Sequence, residues 1–141
     1  MQIAFYYRRQ GRDFVSGSTR TSDGLWMSTF QQAVADPPDI GAAVEAALDA
    51  AAAAPTPERR SSGWTDPMLA VAGVKTNKAW MTGTVAVYVE RDGTTYSISP
   101  TENDGRGFDD TDEVTVLEHP TTAELGAAVE KYLNDGTKEP T

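Results

Sequence analysis

Apolar residues recur every second position between Thr84 and Ile98: Val85, Val87 and Val89 alternate with Ala86 and Tyr88, then Tyr96 and Ile98 continue a return strand to Pro100. Between them Arg91-Asp92-Gly93-Thr94 supplies turn residues suited to left-handed backbone, so this segment reads as a β-hairpin. A second hairpin is expected at the N-terminus, where Ile3, Phe5 and Tyr7 alternate with Ala4 and Tyr6. There Gln10-Gly11-Arg12-Asp13 turns the chain toward a short partner strand at Phe14-Val15. Residues 16 to 24 read as a polar loop, and Leu25 to Phe30 fit either helix or strand.

The period changes near residue 40. Ile40, Val44, Leu48 and Ala51 line one helical face, with Asp36 expected as N-cap, Pro37 at the first helical position and an end near Ala54. Pro55 and Pro57 stop this helix, and a mobile connector is expected at about 55–65. Asp66-Pro67 repeats the cap-and-proline signal before a short helix to Ala72, ended by Gly73. A strand from Val114 to Leu117 follows. Thr121 and Glu124 then form a capping box, opening a helix that buries Leu125, Ala128, Val129, Tyr132 and Leu133. That helix is expected to end near Asn134 and Gly136, leaving a frayed tail at 136–141. These elements predict an α+β fold: a single domain over 1–141, mainly antiparallel β-sheet with two longer helices packed on it.

The two long helices resemble one another, since DIGAAVEAALDA at 39 to 50 and ELGAAVEKYLND at 124 to 135 match at an offset of 85. Duplication explains this, and so does convergence of Ala-rich amphipathic helices, because no matching hairpins stand out in the sequence. Gly41 and Gly126 suit close approach of a helix to a sheet, at about 1 kcal/mol of helix propensity each.

A chain of 141 residues buries roughly 70% of its unfolded surface, enough for a core without staples. It contains no cysteine, which excludes disulfides, thiolate chemistry and Cys-based metal sites. No basic segment precedes an apolar run at the N-terminus, and nowhere do eighteen apolar residues occur together, so a cytoplasmic location without membrane partners is expected. The net charge of −9 and pI near 4.4 disfavour nucleic acid, whose phosphates need cations, and favour a basic protein partner. Net negative charge also keeps ordinary domains dispersed.

Little in the chain supports catalysis. His119, the one histidine, stands between Glu118 and Pro120. Neighbours on an extended strand point to opposite faces, so Glu118 is poorly placed to hold it as a base. No nucleophile motif or phosphate loop is present, and no catalytic residue or cofactor is expected. The acidic run 102 to 113 has the length of a calcium loop, a Gly at position six and Glu at position twelve. Arg106 at position five and Glu102 at position one fail that pattern, so no metal is expected. The run reads better as a contact surface, or as a plain solvated loop. Its carboxylates are Glu102, Asp104, Asp109, Asp110, Asp112 and Glu113, and Arg106 accompanies Phe108 as an aromatic anchor. Phe108 fits equally a plug packed back onto the sheet, and Trp80 fits either a partner contact or the core.

Lys78-Ala79-Trp80-Met81-Thr82-Gly83, Ile98-Ser99-Pro100-Thr101, Gly105-Arg106-Gly107-Phe108 and Glu124-Leu125-Gly126 occur in an order and spacing that resembles the immunity proteins of contact-dependent growth inhibition systems. In that family a lysine-tryptophan turn precedes a strand pair, a glycine-phenylalanine loop and a final helix. The resemblance covers Lys75 to Leu133, and the Ala/Pro tract from Ala50 to Pro57 and the acidic loop depart from it. It implies a non-catalytic protein that binds a cognate toxin C-terminal domain and blocks its active site or substrate path, with an RNase-type toxin favoured because such enzymes need basic grooves. The alternative is a small ligand- or cation-binding domain, or a non-catalytic enzyme subunit.

Overall fold

Antiparallel pairing dominates the computed structural model, which describes residues 2–20, 26–28, 34–53, 67–103, 105 and 108–137. Its strands are β1 (Gln2–Arg9), β2 (Arg12–Arg20), β3 (Trp26–Ser28), β4 (Val34–Ala35), β5 (Thr84–Asp92), β6 (Thr95–Asn103), β7 (Phe108–Asp110) and β8 (Thr115–Glu118). They form one sheet in the order β3-β2-β1-β5-β6-β7, with β4 also on β2 and β8 also on β6. The helices are α1 (Ile40–Ala53), α2 (Pro67–Ala72), α3 (Asn77–Met81) and α4 (Thr122–Thr137). The α+β expectation is therefore met, with two long helices and two short ones.

Both hairpins close through two-residue turns that match the right-handed twist of their strands. Gln10 and Gly11 both have positive φ, at 53° and 76°, as a type I′ turn requires, and Gly93 at 62° takes the first position of the second turn. β2 is much longer than the expected Phe14-Val15 pair. Residues 16 to 20 lack an apolar pattern, but β1 pairs 16 to 18 and β3 pairs 18 to 20, so pairing overrides propensity and Ser16 is buried. Within the ambiguous stretch 25 to 30, Trp26–Ser28 is a strand.

Helix α1 starts later than the Asp36-Pro37 signal suggests. Asp39 is its cap, accepting the Ala42 backbone N–H at 2.9 Å, while Asp36 sits at φ 49° and is ion-paired to Arg12 at 2.8 Å. Pro38 explains the shift, because a proline disfavours helical backbone in the residue before it, here Pro37. Helix α2 matches its expected span, and Gly73 follows at φ 76°. The capping box of α4 is formed: the Glu124 N–H donates to Thr121 Oγ1 at 3.1 Å, and the Thr121 N–H donates to Glu124 Oε1 at 3.0 Å. Hydrogen bonding from Thr121, its backbone N–H first, holds the Glu124 carboxyl below its usual range. α4 runs to Thr137, one residue past the expected start of fraying, and the expected connector lies outside the described residues.

The sheet buries both faces. On the first, α1 and α4 cover Ala4, Tyr6, Val15, Val87, Val89 and Ile98, contributing Val44 and Leu48 from one helix and Leu125, Val129 and Leu133 from the other. On the second, Leu69, Trp80 and Met81 from α2 and α3 pack over Tyr7, Phe14 and Ala86. A Cβ on Gly41 would lie 1.8 Å from the Thr122 carbonyl oxygen, and one on Gly126 would lie 3.1 Å from the Gly41 nitrogen. The close approach made by these glycines is thus helix to helix, not helix to sheet.

The two hairpins also repeat, although their sequences do not match. Phe5 pairs Ser16 and Tyr88 pairs Ser99, while Tyr7 pairs Phe14 and Glu90 pairs Ser97, each time at an offset of 83 residues. In each half the hairpin's second strand takes two further short strands, and a long helix follows. The halves meet through equivalent positions, since Phe5 lies directly opposite Tyr88 across β1 and β5, and Gly41 meets Gly126 across the helices. Such self-complementary contact is what a twofold arrangement produces.

Candidate functional site

The acidic run extends from the end of β6 through β7 to the start of β8, along one edge of the sheet. Asn103 fixes its entry. Its Nδ2 donates to the carbonyls of Met81 at 2.6 Å and Thr84 at 2.9 Å, and its Oδ1 accepts the Gly105 N–H at 2.9 Å. The side chain thereby ties the loop to the α3–β5 connection and closes a local turn on itself. Thr101 Oγ1 donates to the Ala86 carbonyl at 2.6 Å, and Thr111 Oγ1 donates to the Pro100 carbonyl at 3.2 Å. The residues that hold the run are thus small polar ones, and the sequence reading did not single them out. The signal for Asn103 was available as Asn-x-Gly at the end of a strand.

Phe108 is half-buried against the second core, with its ring centroid 5.6 Å from that of Tyr7. This is the plug arrangement. Trp80 is 2% exposed, and its indole meets Tyr7 at 5.1 Å and Phe14 at 5.6 Å between centroids. The expectation of a partner-facing indole is corrected: α3, capped by Thr76, turns the side chain inward, and the Trp80 carbonyl accepts the hydroxyl of buried Thr84.

The carboxylates fare differently. Glu102, Asp109, Asp112 and Glu113 are all exposed. Glu102 lies directly opposite Asp109 in the β6–β7 ladder, a pairing of like charges that destabilises a sheet. Only the backbone of Asp110 is described, opposite Thr101, while Asp104 and Arg106 lie outside the described residues. Elsewhere three arginines pair with carboxylates inside the chain. Arg8 pairs with Asp13 at 2.7 Å and Glu130 at 3.1 Å, Arg12 with Asp36, and Arg91 with Asp49 at 2.7 Å. Among the described residues, no such ion pair reaches Glu102, Asp112 or Glu113.

Perturbed side chains lie away from this edge, and their causes are structural. Burial pushes the Tyr6 phenol well above its usual range, reinforced by its 2.7 Å hydrogen bond to Asp13. Burial also raises Tyr96, whose hydroxyl donates to Glu45 at 2.8 Å. Arg12 holds the Asp36 carboxyl down through its hydrogen bonds. His119 is exposed at φ 46°, terminating β8. Among the described residues no group of three or more histidines and carboxylates is placed to hold a metal ion, and no helix is long and apolar enough to cross a membrane. The edge is suited to charge and shape complementarity.

No family model and no curated protein matches the chain. Solved structures share its fold. A protein of unknown function from Neisseria meningitidis superposes with a TM-score of 0.70 at 16% identity, over 95% of this chain and 94% of that one. A chain of the CdiA-CT/CdiI toxin and immunity complex from Yersinia pseudotuberculosis superposes with a TM-score of 0.66 at 15% identity, over 94% of this chain and 95% of that one. Nearly the whole chain is therefore similar in fold to a component of a toxin and immunity complex.

Proposed function

We propose that this chain is an immunity protein that binds a cognate toxin domain, of the kind carried at the C-terminus of CdiA, and neutralises it by covering its active site or substrate path. The carrying observation is the fold shared, nearly end to end, with a chain of the toxin and immunity complex. The acidic edge supports the same reading. RNase-type toxins bind phosphates through basic grooves, and exposed carboxylates such as Glu102, Asp109, Asp112 and Glu113, together with Asp104 and Asp110 from the same run, would occupy such a groove in place of phosphate. Charge steering raises association rates to about 10⁸–10⁹ M⁻¹s⁻¹ at low salt, which suits an inhibitor that must act before a nuclease reaches its substrate.

The test is co-expression with a CdiA-type C-terminal toxin domain taken from the reading frames that flank this chain's own. Rescue of growth, together with a stoichiometric complex on gel filtration, is expected. Continued toxicity with no complex would remove the reading.

A further inference from the structure

The repeated architecture provides an internal control for the acidic edge. Residues 12–35 and 95–118 occupy equivalent places, each beginning at the hairpin's second strand and ending with the last short strand before a long helix. The first segment contains two arginines and two aspartates and is neutral. The second contains seven carboxylates and one arginine, a net of −6 in a chain of −9. Since a neutral segment builds the same strands, the fold does not demand this charge.

The second face of the sheet differs in the same direction. In the first half Tyr7 and Phe14 are paired neighbours, and Trp80 of α3 lies over both. Their equivalents in the second half are Glu90 and Ser97, and next to Ser97 lies Val116 of β8. Among the described residues no helix covers that position. Exposure alternates along the segment: Thr115 and Leu117 turn toward α4 and the first core, whereas Val114 and Val116 are 53% and 58% exposed. Isolated surface valines are ordinary. Val116 lies on this edge strand and Val114 just before it, and Asp112, Glu113 and Glu118 beside them are exposed. An apolar centre within a charged rim is how protein interfaces are laid out.

We infer that the outward side of β8, centred on Val114 and Val116, is the surface on which the toxin domain docks. It is the counterpart of the position that α3 fills within the chain. This rests on the immunity reading and deepens it, assigning association rate to the carboxylates and residence time to the valines. The occupant is a protein with an apolar patch framed by Lys and Arg. A second copy of this chain, also at −9, would bring like charge.

The experiment measures binding of the isolated toxin domain to the full chain across a range of salt concentrations. Replacing both valines with threonine keeps the β-branched shape, so the variant should melt like the parent while dissociating roughly tenfold faster, with an unchanged salt slope. Asp112→Lys with Glu113→Lys should slow association about tenfold at low salt and flatten its salt dependence. If the parent binds and the valine variant binds equally well, the docking assignment fails and the immunity reading stands. If the parent does not bind, the immunity reading fails and the assignment goes with it. Sedimentation showing a dimer that the valine replacements dissolve would also overturn the assignment.

Discussion

The two halves of the molecule use the same strand order and the same helix placement, yet among the described residues only one is closed on both sides. On the first face α1 and α4 contribute equivalently, Val44 and Leu48 from one and Val129 and Leu133 from the other, and all four are fully buried. On the second face the N-terminal half buries Tyr7 and Phe14 under Trp80, while the C-terminal half presents Glu90 and Ser97 where those aromatics would be. Stability is therefore concentrated in the shared core and under α3. On the β8 side the described residues leave Val114 and Val116 exposed, and the docking assignment rests there.

Several changes would break or sharpen this contrast. Trp80→Ala should cost about 3–5 kcal/mol in urea unfolding, whereas Ser97→Ala on the open side should change stability by under about 0.5 kcal/mol. Equal effects would mean that the halves are not distinguished by burial. Gly41→Ala should cost about 2–3 kcal/mol, because its Cβ would meet the Thr122 carbonyl carbon and oxygen, which are backbone atoms. Gly126→Ala has slightly more room, and its gain in helix propensity should keep the loss within about 1 kcal/mol.

Alkali should attack the closed side. The folded Tyr6 phenol keeps its proton while the unfolded one releases it above about pH 10, so the unfolded state gains on the folded one as pH rises. Stability should fall by up to about 1.4 kcal/mol per pH unit beyond that point, and Tyr6→Phe should lessen the slope. Thr121→Ala removes one arm of the α4 cap and should cost about 1 kcal/mol by thermal unfolding. At the small end, Val116→Thr should leave the melting profile within about 0.5 kcal/mol of the parent. A large loss there would place β8 in the core after all.

What could be read from the sequence was local. The β5–β6 hairpin and α4 stand out because turn residues, period and capping box lie within a few positions of one another. α1 was legible in type but not in start, since Asp36-Pro37 and Pro38-Asp39 offer competing caps and only the restriction of Pro37 by Pro38 decides between them. β2 beyond Val15 was hidden because Ser16 and Gly17 carry no strand pattern; β1 supplies their pairing from far along the chain. The candidate site was visible as charge and invisible as architecture. Asn103, Thr101 and Thr111 hold it through contacts to carbonyls of α3, β5 and β6, and the outward turn of Val116 depends on a register with Ser97 that no local window contains.

The crossing of Gly41 over Gly126 has a consequence for biosynthesis. Translation delivers α1 before α4, yet Val44 and Leu48 have no complete lining until Leu125, Val129 and Leu133 have emerged from the ribosome. A chain halted before α4 therefore keeps this apolar surface open, and the core closes only when the two helices, made far apart in time, can clasp.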